Sequence, residues 1–153
     1  MYSKRANSSK RTVSILKSLI FAIGSLFIAP LSYANVHTIG DITIHYNALS
    51  SANIPAEVAA AYKIRRSGRT GLVNITVMKN GKPVIANIFG NGKNLTGQLK
   101  ALAFKEIREE QAVYYIATFT FSNGEKLSFD LQVQPERKGK LIQLNFKQEL
   151  YVD

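Results

Sequence analysis

With 153 residues, 20 Lys plus Arg against 10 Asp plus Glu, and a formal net charge of +10, the chain is long enough for one domain with its own core and basic enough to suggest a polyanionic partner. The charge misleads: five of the twenty bases precede residue 35, and fifteen bases against ten acids leave +5 for the rest. There is no cysteine, which excludes disulfides, Cys-ligated zinc and a thiol nucleophile together.

Residues 1–34 read as an export signal. Lys4, Arg5, Lys10, Arg11 and Lys17 stand without an acid, an apolar run follows from Leu19 to Ile28, and Pro30 precedes Ser32-Tyr33-Ala34, a small-x-small cleavage site. A spanning helix needs about 20 apolar residues, and this run opens at Ser18 and breaks at Pro30. Cleavage after Ala34 is therefore expected, leaving residues 35–153 as a single periplasmic domain with no integral span. In that compartment anionic envelope polymers come before nucleic acid as partners for a mildly basic surface, so no nucleic-acid partner is expected.

After Ala34 the apolar residues recur with period two, the mark of strands with one buried face. Strands are expected at 42–48, 62–67, 72–79, 83–89, 98–105, 113–121, 125–134 and 141–149. In the clearest of them, Val73, Ile75 and Val77 alternate with Asn74 and Thr76. Leu127, Phe129, Leu131 and Val133 alternate with polar residues, as do Ile142, Leu144 and Phe146. The stretch 113–121 is apolar or aromatic on both faces, as expected of a covered central strand, and its Tyr114, Tyr115, Phe119 and Phe121 read as core rather than as a sugar platform.

Asn80-Gly81 and Asn123-Gly124 favour the tight type I′ turn and predict two hairpins, 72–79 with 83–89 and 113–121 with 125–134. Asn91-Gly92 is expected to open a longer loop. Ile54 to Tyr62, alanine-rich with Pro55 near its start and Glu57 in the first turn, predicts a short helix bridging two sheets. About eight strands with frequent turn signals and one helical crossover give an all-β fold: an antiparallel immunoglobulin-like sandwich of seven to eight strands.

No pattern of catalytic residues, cofactor motif or metal set emerges. On the strand 42–48, Ile42, Ile44, Tyr46 and Ala48 share one face and Thr43, His45 and Asn47 the other. His45 is thus a candidate ligand or base on a polar face. His37 lies eight residues away, and only a sharp bend could bring both histidines to one ion. Lys63, Arg65, Arg66 and Arg69, with Ser67 among them, form the densest cationic run; on a strand, Arg65 and Arg66 would face opposite ways, the inward one pairing with Glu57 or Asp41. Guanidinium groups suit carboxylate or phosphate. Gly90 to Gly97 lacks the Gly-Lys-Ser/Thr of a phosphate loop.

The runs Ile44-His45-Tyr46-Asn47-Ala48, Ile54-Pro55-Ala56-Glu57-Val58-Ala59, Tyr62-Lys63-Ile64-Arg65-Arg66-Ser67 and Gly71-Leu72-Val73-Asn74-Ile75-Thr76-Val77 resemble a family of small exported proteins of Gram-negative bacteria classed only as a domain of unknown function. The family pattern has Tyr-Gly-Ile where this chain has Tyr62-Lys63-Ile64. The resemblance implies a periplasmic β-rich domain, supplies no activity, and points to His45, Tyr46, Asn47, Arg66, Ser67 and Asn74. The expected role is a non-enzymatic binding or accessory module engaging an envelope protein or an anionic ligand. The alternatives are a hydrolase of envelope material, with His45 as base and Ser67 as nucleophile, and a purely structural protein.

Overall fold

The structure, a computed structural model, describes residues 35–152; the expected signal, residues 1–34, lies outside them. In chain order the strands are β1 (Asn35–Ile39), β2 (Ile42–Ser50), β3 (Thr70–Lys79), β4 (Lys82–Pro83), β5 (Ala86–Asn94), β6 (Leu99–Ala101), β7 (Lys105–Arg108), β8 (Val113–Thr120), β9 (Glu125–Pro135) and β10 (Ile142–Leu150). Between β2 and β3 stand a 3-10 turn (Ser51–Asn53) and one short helix, α1 (Ala56–Ala61). Among the described residues no helix is long and apolar enough to cross a membrane.

All pairings are antiparallel. One sheet runs β1-β2-β3-β8-β7 with β4 beside the end of β3, and the other runs β10-β9-β5-β6. The order β2-β3-β8-β7 is the A-B-E-D sheet of the immunoglobulin sandwich, and β10-β9-β5 is its G-F-C sheet. β1, which the sequence pattern did not single out, extends the first sheet beyond β2 through a two-residue turn at Gly40-Asp41.

The strand 62–67 does not form. The strand 98–105 becomes two short ones in different sheets, β6 and β7. Asn80-Gly81 makes the expected turn, both residues at positive φ, but its returning strand pairs only through Lys82 and Pro83 before the chain leaves for the second sheet. Proline has no N–H to give a ladder. Asn123-Gly124 does not join a hairpin: β8 pairs with β3 and β7, β9 with β5 and β10, so the turn carries the chain from one sheet to the other.

Asn91-Gly92 is strand, not loop, and the glycines of β5 serve packing. Gly90, at φ +141, stands where a Cβ would meet the Asp130 carbonyl and, at 2.8 Å, Leu131; a Cβ on Gly92 would lie 3.0 Å from the Phe129 ring. Bare backbone here lets β9 press its large side chains inward.

The core lies between the sheets. Ile44, Val73, Ile75 and Val77 from the first face Leu127, Phe129, Leu131, Val133 and Leu144 from the second, all but fully buried. At its centre Phe129 stacks on Phe146 at 4.7 Å and meets Phe119 edge-on at 5.6 Å, while Tyr46 tilts against Phe146 at 4.7 Å. Tyr115 ties the sheets by hydrogen bonds: its hydroxyl accepts from the Ala86 N–H at 2.7 Å and donates to Glu106 at 3.0 Å. Glu106 in turn takes Arg108 at 2.5 Å and Arg137, from the β9–β10 connection, at 2.6 Å. Led by the Arg108 guanidinium, these donors hold the Glu106 carboxyl below its ordinary range against the opposing effect of burial.

A second apolar set, Leu72, Ile107, Tyr114 and Ile116, lies buried on the outer face of the first sheet, and Ile54, Val58 and Ala59 of the α1 segment are buried with them. Six residues of helix cannot stand alone in water, so burial of Val58 and Ala59 is what holds α1. Its end explains the failed strand 62–67. The Ile64 N–H reaches back to the Ala59 carbonyl at 2.7 Å and the Lys63 N–H to Ala60 at 3.2 Å, the paired bonds of a Schellman cap. That cap requires a left-handed residue, and Lys63 sits at φ +55. The left-handed position of this cap, which glycine fills most easily, is held here by a lysine in an unfavourable conformation.

Lys63 is exposed and its side chain makes no ion pair among the described residues. Lys63→Gly is therefore expected to stabilise the fold by about 0.5–1 kcal/mol, relief of left-handed strain outweighing the extra freedom of glycine in the unfolded chain. Thermal unfolding checks it: the midpoint should rise by a few degrees, and a fall would show that the lysine side chain holds the loop.

Candidate functional site

The alternation that buries Ile42, Ile44 and Ala48 sends Thr43, His45 and Asn47 of β2 to the outer face of the first sheet, and the register sets them against β3. His45 stands opposite Thr76 and Asn47 opposite Asn74. Directly paired residues on one face lie about 5 Å apart, and successive same-face residues about 7 Å. The row continues from Val36 through His45, Thr76 and Tyr114 to Ile107 across five strands.

His45 Nδ1, Asn47 Oδ1 and Asn74 Oδ1 are buried with no hydrogen-bond partner among the described residues. The three side chains are nevertheless only half-buried. An amide oxygen and nitrogen diverge from one carbon, and the two imidazole nitrogens from one ring, so burying the acceptor atom turns the opposite nitrogen outward. The open side of this patch consequently presents the amide donors of Asn47 and Asn74, while a buried acceptor left unmatched costs about 1–3 kcal/mol. Sites that keep such a cost ask for an explanation beyond folding.

The basic run lies at the end of β2 and β3, separated from Asn47 and Asn74 by the Leu49–Leu72 row. Residues 63–69 form the connection from α1 to β3, pinned at several points to the 3-10 turn. The fully buried Ser51 hydroxyl donates to the Arg65 carbonyl at 2.9 Å and accepts from the Ser67 N–H at 3.1 Å. Ser67 Oγ accepts from the Arg69 N–H at 3.1 Å, the local turn that serine favours. Arg66 donates to the Ala52 carbonyl at 2.8 Å. Among the described residues none of Lys63, Arg65, Arg66 or Arg69 is in an ion pair, and all four are exposed. Neither arginine turns inward to Glu57 or Asp41 as a strand would have required, because the segment is a loop in which both heads reach solvent.

Of the candidate residues, the structure therefore gathers His45, Asn47 and Asn74 on one face and Arg65, Arg66 and Ser67 on the adjoining loop. Tyr46 stands apart, inward against Phe146. No hydrogen bond joins His45 to Ser67, whose Oγ accepts from the Arg69 N–H, so these two do not stand as a nucleophile–base pair. The bend at Gly40 does bring His37 next to His45, opposite Ile44, but on the core side of the sheet. No group of three or more His, Asp or Glu among the described residues could hold a metal ion.

Sequence reasoning missed Tyr62 and Tyr114. Tyr62 donates to Glu109 at 2.5 Å, tying the end of α1 to the β7–β8 turn. Burial first, then the Glu109 carboxylate, push the Tyr62 phenol well above its ordinary value; burial, then the same carboxylate, raise Tyr114. Both tyrosines stay neutral donors at any physiological pH. Tyr114 was legible as facing opposite to Tyr115, but nothing local pairs residues 47 positions apart.

A family model described as a domain of unknown function (DUF4426) matches residues 36–153. Among solved structures, a DUF4426 family protein of Pseudomonas aeruginosa shares 34% identity and superposes with a TM-score of 0.71, over 79% of this chain and 97% of that one. The yeast GGA1 GAE domain aligns at 10% identity and a TM-score of 0.36, over 76% and 97% of the two chains. No functionally curated protein matches.

Proposed function

Because the chain belongs to the DUF4426 family, a domain of unknown function, we propose from its own residues that it is an exported, non-enzymatic module that binds an anionic ligand at the outer face of the first sheet, beside the 63–69 loop. The observation that carries this reading is that β2 and β3 carry two donor sets, one on their outer face and one at their end, while the nearby acid Glu109 is engaged by the Tyr62 hydroxyl. The buried Asn47 and Asn74 oxygens leave their amide nitrogens for the open side of adjacent strands, and the cationic loop at the end of the same strands is unpaired among the described residues. Binding to carboxylate or phosphate is supplied by guanidinium forks. Specific position is supplied by the sheet and by the pinned loop, which pre-organises the arginines. The signal-like residues 1–34 support a periplasmic location.

Titration of the purified full chain with pyrophosphate and with hexaglutamate, followed by backbone amide shifts, tests the site. Amides of residues 45–47, 63–70 and 74–76 should move, and binding should weaken with salt. Arg65→Gln with Arg69→Gln keeps every loop-pinning bond named above, so folding is preserved. That pair should lose about tenfold or more in affinity, the scale of one charged hydrogen bond. Unchanged affinity, or no response to either anion, removes this reading. For location, N-terminal sequencing of protein from the periplasmic fraction should begin at Asn35.

A further inference from the structure

The outer face of the second sheet has a composition that neither the core nor the proposed anion site uses. Phe89 is 52% exposed in the middle of β5. Its two flanking same-face neighbours on β5 are Asn87 and Asn91, and across the sheet it stands in a row with Gln132 of β9 and Gln143 of β10. Amides also fill neighbouring places, Gln134 opposite Asn87 and Asn145 opposite Asp130.

Four of these amides, Asn87, Gln134, Gln143 and Asn145, are held in place. Asn87 donates to Gln134 at 3.1 Å, and Gln143 donates to Asn145 at 3.1 Å and to Asp130. Each amide bonded through one atom keeps further donor or acceptor capacity for a ligand. We propose that this face is a binding platform for an uncharged glycan, a sugar ring stacking on Phe89 and the following residues hydrogen-bonding the amides of β9 and β10.

Charge selects the occupant. The row through Phe89 is uncharged, and the one acid in the next row, Asp130, is engaged by Gln143. The nearest same-face bases, Lys93 and Lys147, stand two rows away, about 13 Å along the strands. A polyanion would find no cation at the ring, and a charged peptide would find no counter-charge. A chain of hydroxyls suits such a face because an amide both donates to and accepts from a hydroxyl. The strand spacing of about 4.8 Å, stepping from Phe89 to Gln132 to Gln143, is comparable with the length of one pyranose residue. An aromatic face provides the apolar half of the contact, as it does when bases stack on exposed rings in single-strand binding.

The probes are maltohexaose, cellohexaose and chitohexaose, titrated separately into the purified full chain and followed by backbone amide shifts. At least one should move amides of residues 87–91, 130–134 and 143–145 and leave residues 63–70 unmoved, which separates this platform from the anion site. Phe89→Ala should weaken that binding about tenfold or more, the scale of one stacking ring, with an unchanged thermal midpoint because the ring is half in solvent. Gln132→Ala, as a second variant, should weaken it several-fold. The proposal is overturned if all three sugars leave these amides unmoved, if Phe89→Ala binds as tightly as the parent, or if sedimentation shows Phe89 to be covered by a second copy of the chain.

Discussion

Phe129→Ala is expected to cost about 3–5 kcal/mol, the range for removing a buried aromatic ring, and thus a large part of the roughly 5–15 kcal/mol that stabilises a domain of this kind. The upper half of the range applies because the cavity has little means of closing. The ring is 2% exposed, lies between Phe146 and Phe119, and has Gly92 opposite it on β5. No side chain at Gly92 exists to lean into the space, and the two aromatic neighbours are rigid plates already held by Tyr46 and by the sheet. Urea unfolding at equilibrium should show a lower midpoint with the slope unchanged. Phe129→Leu, which keeps most of the volume, should lose about 1.5 kcal/mol or less. A loss below 1 kcal/mol for the alanine variant would place the centre of the core elsewhere.

The same residue shows why the sandwich could be read from the chain while its wiring could not. Phe129 belongs to a strict alternation, and alternation reports that one face of a strand is buried. Three such runs, with turn signals between them, were enough for two facing sheets. Which strand lies beside which is decided by the edges left open once both sheets exist, and no dipeptide encodes that. Asn123-Gly124 carries the conformational preference for a tight reversal, and the chain does turn there, the Glu125 N–H meeting the Ser122 carbonyl at 3.0 Å with Gly124 but not Asn123 at positive φ, but the strand that follows enters the opposite sheet. Residues 62–67 mislead for another reason. Tyr62, Ile64 and Arg66 alternate like a strand, yet Lys63 is spent on capping α1, an event fixed by backbone hydrogen bonds rather than by side-chain pattern.

The candidate site divides along the same line. That His45 and Asn47 share a face, with Tyr46 on the other, follows from the period of a strand. That Asn74 joins them follows only from the β2–β3 register, and that the arginines gather at the end of these strands follows only from the loop being tied to Ser51 and Ala52. Ser51 carried no signal at all, because a lone serine after a strand is ordinary until its hydroxyl is seen holding a segment 14 to 16 residues away.

Glu125→Ala is expected to cost about 2–3 kcal/mol, somewhat below the 3–5 kcal/mol of a deeply buried broken pair because this pair lies near the rim of the sandwich. Lys100 alternates inward on β6, opposite Gly92, and its ammonium meets Glu125 at 3.2 Å with the two side chains only 9% and 10% exposed. The same carboxylate accepts from Asn94 at 2.7 Å and from the Ser122 N–H at 2.8 Å. Truncation therefore leaves the Lys100 ammonium and the Asn94 amide with only the Gln98 oxygen, at 3.5 and 3.2 Å, and the Ser122 N–H without its acceptor. Lys100→Met with Glu125→Leu, which removes both charges, should recover much of the loss, and a double-mutant cycle would isolate the pairing. A pH dependence follows. Burial alone would raise the Glu125 carboxyl, but Asn94, Ser122 and Lys100 outweigh it and hold the group below its ordinary value. A carboxyl depressed in the folded state contributes its stability fully above the unfolded value, about 4.3, and loses it as pH falls through the lower folded value. Glu106, depressed chiefly by Arg108, adds a smaller effect of the same sign because it is more exposed. The parent should therefore lose stability steeply below about pH 4, and the Lys100→Met, Glu125→Leu variant should lose it less steeply. Equal slopes in urea titrations between pH 5 and pH 3 would show that Glu125 is not held in its charged form by the fold.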